Sequence, residues 1–395
     1  MKQKHFFKTI FILIIAFAMT TMVTSCDEND PSDVNGLDEQ KTKVITQYVN
    51  EVVVTTYKSL ANEATDLYNA CVALQASPTQ SNIETACTEW KAARKYWEQS
   101  EAFLYGAAAD YNIDPHIDSW PLDKAQLDLA LRNNTLIANM KESGCNFDGF
   151  STLGYGLLGF HAVEYMIFRD GAARKIDGGT ASDGTAYEAL TETELVYCVA
   201  VAEDLRNQCI RLEASWAGIE KITTAKQAIL EETELEPSMN YGEALIEAGE
   251  SGNVLYKSQI SAYVQILQGA SDISDEVGNT KITDPVNSGN VLDVESWYSW
   301  NSLTDFADNI RSVQNAYMGG TSGTVNSLSV STYVKSLDAT LDSEILAAIS
   351  KAITEIEAMP APFRNNLTQA ASASAVAACN DLMDKLEEAI ELVQK

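Results

Sequence analysis

Proline occurs only eight times in 395 residues and sits at the breaks between long segments rich in Ala, Leu, Glu and Gln. A chain so free of helix breakers, in segments of strong helix formers, is constrained to an all-α fold. Residues 41–76 place apolar side chains at three- and four-residue steps (Val44, Tyr48, Val52, Leu60, Leu67, Cys71, Leu74), the period of one helix face. The β-branched run Val52-Val53-Val54-Thr55-Thr56 weakens that pattern locally. Residues 82–109 predict a second helix, with Ile83, Ala86, Trp90, Ala93, Trp97, Phe103 and Leu104 on its apolar side. Residues 121–140 predict a third, opened by Pro121. Further helices are expected over 151–169, 187–218, 219–234, 253–269, 300–317, 328–358 and 363–394. The glycine-rich 171–184 reads as a loop, and 270–292 as a long irregular connection. About 370 residues beyond a leader suggest two domains. The expected architecture is two packed four-helix-bundle-like halves, 41–235 and 236–395.

Residues 1–25 read as an export signal. Lys2, Lys4 and Lys8 precede an apolar stretch from Phe11, too short to span a bilayer well. Val23-Thr24-Ser25-Cys26 is similar to a bacterial lipobox, which implies cleavage before Cys26 and lipidation of its thiol. The acidic stretch 26–40 is then a solvated tether. The expected location is the outer membrane, on its surface or periplasmic face, with contact to the bilayer only through the lipid anchor. The net charge of −29 argues against nucleic acid as a partner. Cys71 and Cys87 flank Ser77-Pro78-Thr79-Gln80-Ser81 symmetrically, so an antiparallel hairpin would bring them together, and a disulfide is expected there. Cys198 and Cys209 share one helix, where eleven residues rise roughly 16 Å, too far to bridge.

Histidine is scarce: His5 lies in the leader, leaving His116 and His161. His161 and Glu164 belong to Gly159-Phe160-His161-Ala162-Val163-Glu164, a Gly-x-His-x-x-Glu hexapeptide in an apolar helical run. At i and i+3 on a helix the two side chains share a face. They can grip one cation, hydrogen-bond each other and set the histidine tautomer, or merely orient two helices. Gly154-Tyr155-Gly156-Leu157-Leu158-Gly159 matches Gly-x-Gly-x-x-Gly, but no strand precedes it, so it is no dinucleotide site. Tyr165 stands where an inverted zinc-peptidase motif would carry its second histidine. Asp110, Asp114, Asp118 and Asp123 recur around His116, either as hard-cation ligands or as ordinary cap and turn residues. In 295–311, Asp305, Asp308 and Arg311 would share a polar helix face among aromatic residues.

Taken together these pieces resemble the imelysin-like family, whose members are also described as insulin-cleaving membrane proteases. The matching elements are Trp97 with Glu101-x-Phe103 and Gly106, then Ile117-Asp118-Ser119-Trp120-Pro121-Leu122-Asp123, then Gly159 through Phe168. The last is Glu295-Ser296-Trp297-Tyr298-Ser299-x-Asn301 with Asp305-x-x-Asp308-Asn309-Ile310 and Tyr317-x-Gly319. They occur in the family's order over about 41–390. The resemblance implies an all-helical fold with its site between the two halves, centred on His161 and Glu164. Asp118, Trp120, Ser296 and Asp305 would wall it, with His116, Glu101 and Arg311 as outer candidates. It also implies a role in bacterial iron uptake. Iron, with zinc as the alternative, or an iron-bearing small ligand would be bound, and an outer-membrane transport protein is a possible partner. Two other readings stand beside this one: a metallopeptidase using His161 and Glu164, and a non-catalytic docking lipoprotein.

Overall fold

The first helix begins at a side-chain cap: Asp38 accepts from the backbone N–H groups of Gln40 and Lys41. The computed structural model describes residues 38–143, 150 and 152–395. The leader, Cys26, nearly all of the tether and Cys145 lie outside the described residues.

Nine helices form the framework: α1 Glu39–Tyr48, α2 Thr55–Ala76, α3 Gln80–Glu98, α4 Gly159–Ile167, α5 Glu192–Ala217, α6 Gln259–Asp275, α7 Ser302–Met318, α8 Ala339–Glu357 and α9 Gln369–Val393. α2 packs on α3 and α5, and α4 on α5 and α3. Later in the chain α6 packs on α9 and α7, and α8 on α9 and α7. The two groups meet where α3 and the 3-10 turn Glu101–Phe103 lie against α7 and α6. The all-α class holds; the sheet among the described residues amounts to two two-residue hairpins within 168–187. These replace the plain loop expected over 171–184. No helix of the described residues is long and apolar enough to cross a membrane.

The differences from expectation have local causes. The β-branched run does not break the first helix. It is absorbed as a π-helical turn, Val49–Val54, with Val52 and Val53 fully buried. The irregular connection expected over 270–292 is helical as far as Ser288. α6 runs through a second π-helical segment, Glu276–Ile282, into Thr283–Ser288. Pro121 does not open a helix. Asp123 caps Lys124–Leu131 by accepting from the Gln126 N–H, and Asn134–Ser143 follows separately. Asp338 splits 328–358, because its carboxylate caps α8 at the N–H groups of Thr340 and Leu341.

The disulfide expected between Cys71 and Cys87 is absent. Both are free, as are Cys198, Cys209 and Cys379. Cys71 faces α5, with its Sγ 3.8 Å from Cys198 Sγ, while the Cys87 thiol donates to the Ile167 carbonyl. Symmetry about the turn placed the two cysteines on one hairpin but not on its shared face.

Candidate functional site

α3 contributes the centre. Its buried face carries Trp90, Ala93 and Trp97, and on the same face Arg94 and Glu98, both without solvent exposure. A guanidinium removed from water demands partners. Arg94 Nη1 donates to Asp118 Oδ1, and Nη2 donates to Glu295 Oε1 at 2.5 Å and contacts Glu98 Oε1. The Phe160 ring lies 5.2 Å from its Cζ. Trp97 Nε1–H donates to Asp118 Oδ2 at 2.6 Å.

α4 brings the histidine. Gly159 adopts φ +68°, and a Cβ there would stand 2.0 Å from the Ile117 carbonyl oxygen. The hexapeptide's glycine is therefore what lets α4 start against the backbone beside Asp118. His161 is 3% exposed. Its Nδ1 is 3.0 Å from Glu164 Oε2. Its Nε2 lies 3.2 Å from Asp118 Oδ1, an ion pair when the ring is protonated, though the N–H is not well aligned with that oxygen. Glu164 Oε1 accepts two backbone N–H groups, from Tyr298 at 3.0 Å and Ser299 at 2.7 Å.

The second group of helices closes the site. Lys281, at the end of the second π-helical segment, is buried with its Nζ 3.1 Å from Glu295 Oε2, 3.7 Å from Glu101 and 4.9 Å from the Trp120 ring centre. Asp305, in the first turn of α7, accepts from Ser296 Oγ at 2.5 Å and from Asn301 Nδ2 at 2.6 Å. Asn309 Nδ2 donates to Glu98.

Six buried carboxylates (Glu98, Glu101, Asp118, Glu164, Glu295 and Asp305) thus surround three basic groups, Arg94, His161 and Lys281. The cluster holds more potential negative than positive charge, so protons or a cation must make up the difference. Burial pushes Asp305 up to about 7 and raises Glu98 and Glu101 well above the usual carboxylate range. Burial alone would also raise Asp118, but Arg94 and His161 outweigh it and hold that carboxyl low. Burial would lower His161, but Asp118 and Glu164 outweigh it and hold the imidazolium to about 9.

Two donor sets converge here, Asp118 with His161 and Glu295, and Glu98 with Glu101 and Asp118; within each set the ligand atoms lie within 4.8 Å of one another. Carboxylate oxygens with one imidazole suit iron or zinc. Besides the Nε2 of His161, Glu295 Oε2 lacks an aligned hydrogen bond. A cavity of about 280 Å³, bordered by Trp120, His161, Glu164, Ser296, Trp297 and Tyr298, leads to the imidazole.

The structure brings His161, Glu164, Asp118, Trp120, Ser296, Asp305 and Glu101 together. It sets two candidates apart. His116 Nε2 pairs with Asp204 on α5 at 2.7 Å, and Arg311 pairs with Asp308 at 3.0 Å and with Glu357, both away from the cluster. Arg94, Glu98, Glu295 and Lys281 were missing from the site expected from sequence. Arg94 and Glu98 were detectable as an i, i+4 charge pair on an otherwise aromatic helix face. Lys281 had no comparable signal.

Comparison with known proteins agrees in its broad outline. The family model described as imelysin, which carries a peptidase name, matches residues 53–391. Iron-regulated protein A of Synechococcus elongatus is 25% identical over 383 residues, covering 95% of this chain and 91% of that protein. The crystal structure of a candidate iron-regulated protein A precursor from Parabacteroides distasonis is 32% identical with a TM-score of 0.74, covering 91% of this chain and 96% of that one. An imelysin-like protein from Psychrobacter arcticum, at 12% identity and TM-score 0.58 over 90% of this chain and 94% of its own, shares the fold. With a family match over most of its length and the motif glycine, histidine and glutamate in the geometry described, the chain belongs to the imelysin family.

Proposed function

We propose that this protein is a lipid-anchored envelope protein that captures iron in an uptake role, with Asp118, His161 and Glu295 as ligands and Glu164 orienting the imidazole. The observation that carries the reading is the buried excess of carboxylates over basic groups, with Asp118, His161 and Glu295 converging at the end of a cavity. The names of the Synechococcus and Parabacteroides relatives, both iron-regulated protein A, agree with it. Cys26 would supply the anchor, and an outer-membrane transport protein would receive the cargo. The test is calorimetric titration of the purified protein with Fe(II), Fe(III) and Zn(II), with total metal measured by mass spectrometry. His161→Ala and Glu295→Gln run alongside, with folding checked by circular dichroism. One tight iron site weakened in both folded variants is expected. Weak, many-site binding retained by both would overturn the reading. Cys26→Ala should move the protein from the membrane to the soluble fraction.

A metallopeptidase is the second reading. Asp118 and Glu295 would supply ligands that the hexapeptide lacks. Glu164 is poorly free to act as its base, because it already accepts from Tyr298, Ser299 and the imidazole. A peptide-cleavage screen of the metal-loaded protein separates the two, and cleavage abolished by Glu164→Gln would favour the peptidase.

A further inference from the structure

Acidic residues outnumber basic ones by 56 to 27, so a substantially buried guanidinium without a carboxylate is out of pattern. Two such groups border one cavity of about 690 Å³, beside the smaller one that leads to His161 and sharing Lys124, Trp297 and Tyr298 with it. Arg169 donates from Nη1 to the carbonyls of Tyr165 and Phe168. Its guanidinium lies 4.3 Å from the Tyr165 ring and 5.3 Å from the Tyr298 ring. Arg364 is 9% exposed and stacks 4.0 Å from the Trp297 ring; its Nε is buried without a partner. Neither forms an ion pair with a carboxylate of the described residues. Burial depresses the pKa of both.

Two of the other cations that border the cavity are already paired. Lys124 pairs with Asp128 and Arg174 with Glu194, each at 2.7 Å. Asp170 accepts from the Ser182 N–H and hydroxyl, and Asp183 from the Thr185 N–H. The Asp170 and Asp183 charges act on Arg364 from beyond ion-pair distance, which leaves two planar forks without a direct carboxylate partner against aromatic walls. A guanidinium fork matches a carboxylate in two parallel hydrogen bonds, and stacking against a ring holds the fork in place without using all of its donors. The volume suits a small organic molecule.

We propose that this cavity binds a small aromatic carboxylate, with its anion held by Arg169 and Arg364 and its ring against Trp297 and Tyr298. The site needs no metal, so it stands or falls separately from the iron centre.

The test is titration of the full protein in EDTA-treated buffer with 2-naphthoate, against neutral 2-naphthamide and non-aromatic cyclohexanecarboxylate. Naphthoate is expected to bind about tenfold or more tighter than either comparator. Arg169→Gln and Arg364→Gln should each weaken it about tenfold or more. Added salt should weaken naphthoate binding and leave naphthamide unaffected. Naphthoate binding no better than naphthamide, or binding unchanged in folded arginine variants, would overturn the proposal. If both variants fail to fold, the three-ligand series on the unsubstituted protein still decides.

Discussion

Gly159→Ala tests whether the hexapeptide's first position is a spacer that joins fold to site. The added methyl faces two penalties. At φ +68° any L side chain carries left-handed strain, roughly 1–2 kcal/mol. The Cβ would also stand 2.0 Å from the Ile117 oxygen and 2.3 Å from its carbonyl carbon, both backbone atoms that cannot swing aside. Forcing such an overlap apart costs about 1–3 kcal/mol more, for a total of about 2–5 kcal/mol against a typical stability of about 5–15. Gly289→Ala isolates the first term, because Gly289 has φ +64° with nothing within 4 Å of its notional Cβ. Both variants would be measured by urea denaturation, with iron titration alongside. Gly159→Ala should lose clearly more stability than Gly289→Ala, and it should weaken iron binding, since α4 must move away from Asp118. Equal stability losses, or unchanged iron affinity after a large loss, would refute the spacer argument.

Arg94→Met should destabilise by about 3–5 kcal/mol in chemical denaturation, because it leaves Asp118, Glu98 and Glu295 without their shared cation. A loss under about 1 kcal/mol would mean those carboxylates find protons at little cost. Glu164→Gln should lower iron affinity about 10–100-fold in calorimetry, because the amide can still accept from Tyr298 and Ser299 but no longer holds the imidazole as a carboxylate does; unchanged affinity would remove Glu164 from the site. Stability without metal should fall as pH rises. Asp305 titrates near 7 folded against 3.8 free, so its contribution is complete below 3.8 and lost as pH rises through 7. His161 titrates near 9 against 6.5, so its contribution is complete below 6.5 and lost through 9. Melting temperatures from pH 5 to 10 should show both losses, and Asp305→Asn should flatten the lower one; a curve that rises over this range would contradict the assignment.

Much of the helical fold was legible because helix period and capping are local. The apolar steps of 41–76 need no distant partner, and neither does the capping box of Thr191 and Glu194, which the structure shows at the start of α5. The errors fell where a local signal has two outcomes. A β-branched run can end a helix or widen it into a π-helical turn, and burial of Val52 and Val53 against neighbouring helices chose the second. The Gly, Ser and Asp content of 270–288 reads as loop in isolation, yet Val277 and Ile282 are buried and the segment packs on α9 and α6 as helix. The cysteine hairpin failed because position along two helices does not state their rotation.

By itself the sequence determined the all-α class, the helix period, and a hexapeptide whose i, i+3 spacing puts His161 and Glu164 on one face. The tertiary structure alone decided what that face meets. Arg94 from α3, Lys281 from a segment that reads as loop, and Asp305 from α7 come from positions up to 211 residues apart, as the Glu98–Asn309 contact shows. Short-range periodicity carries no information about which faces will be removed from water together. That removal is what turns scattered charges into a single coupled cluster, since only there are their attractions and proton affinities large.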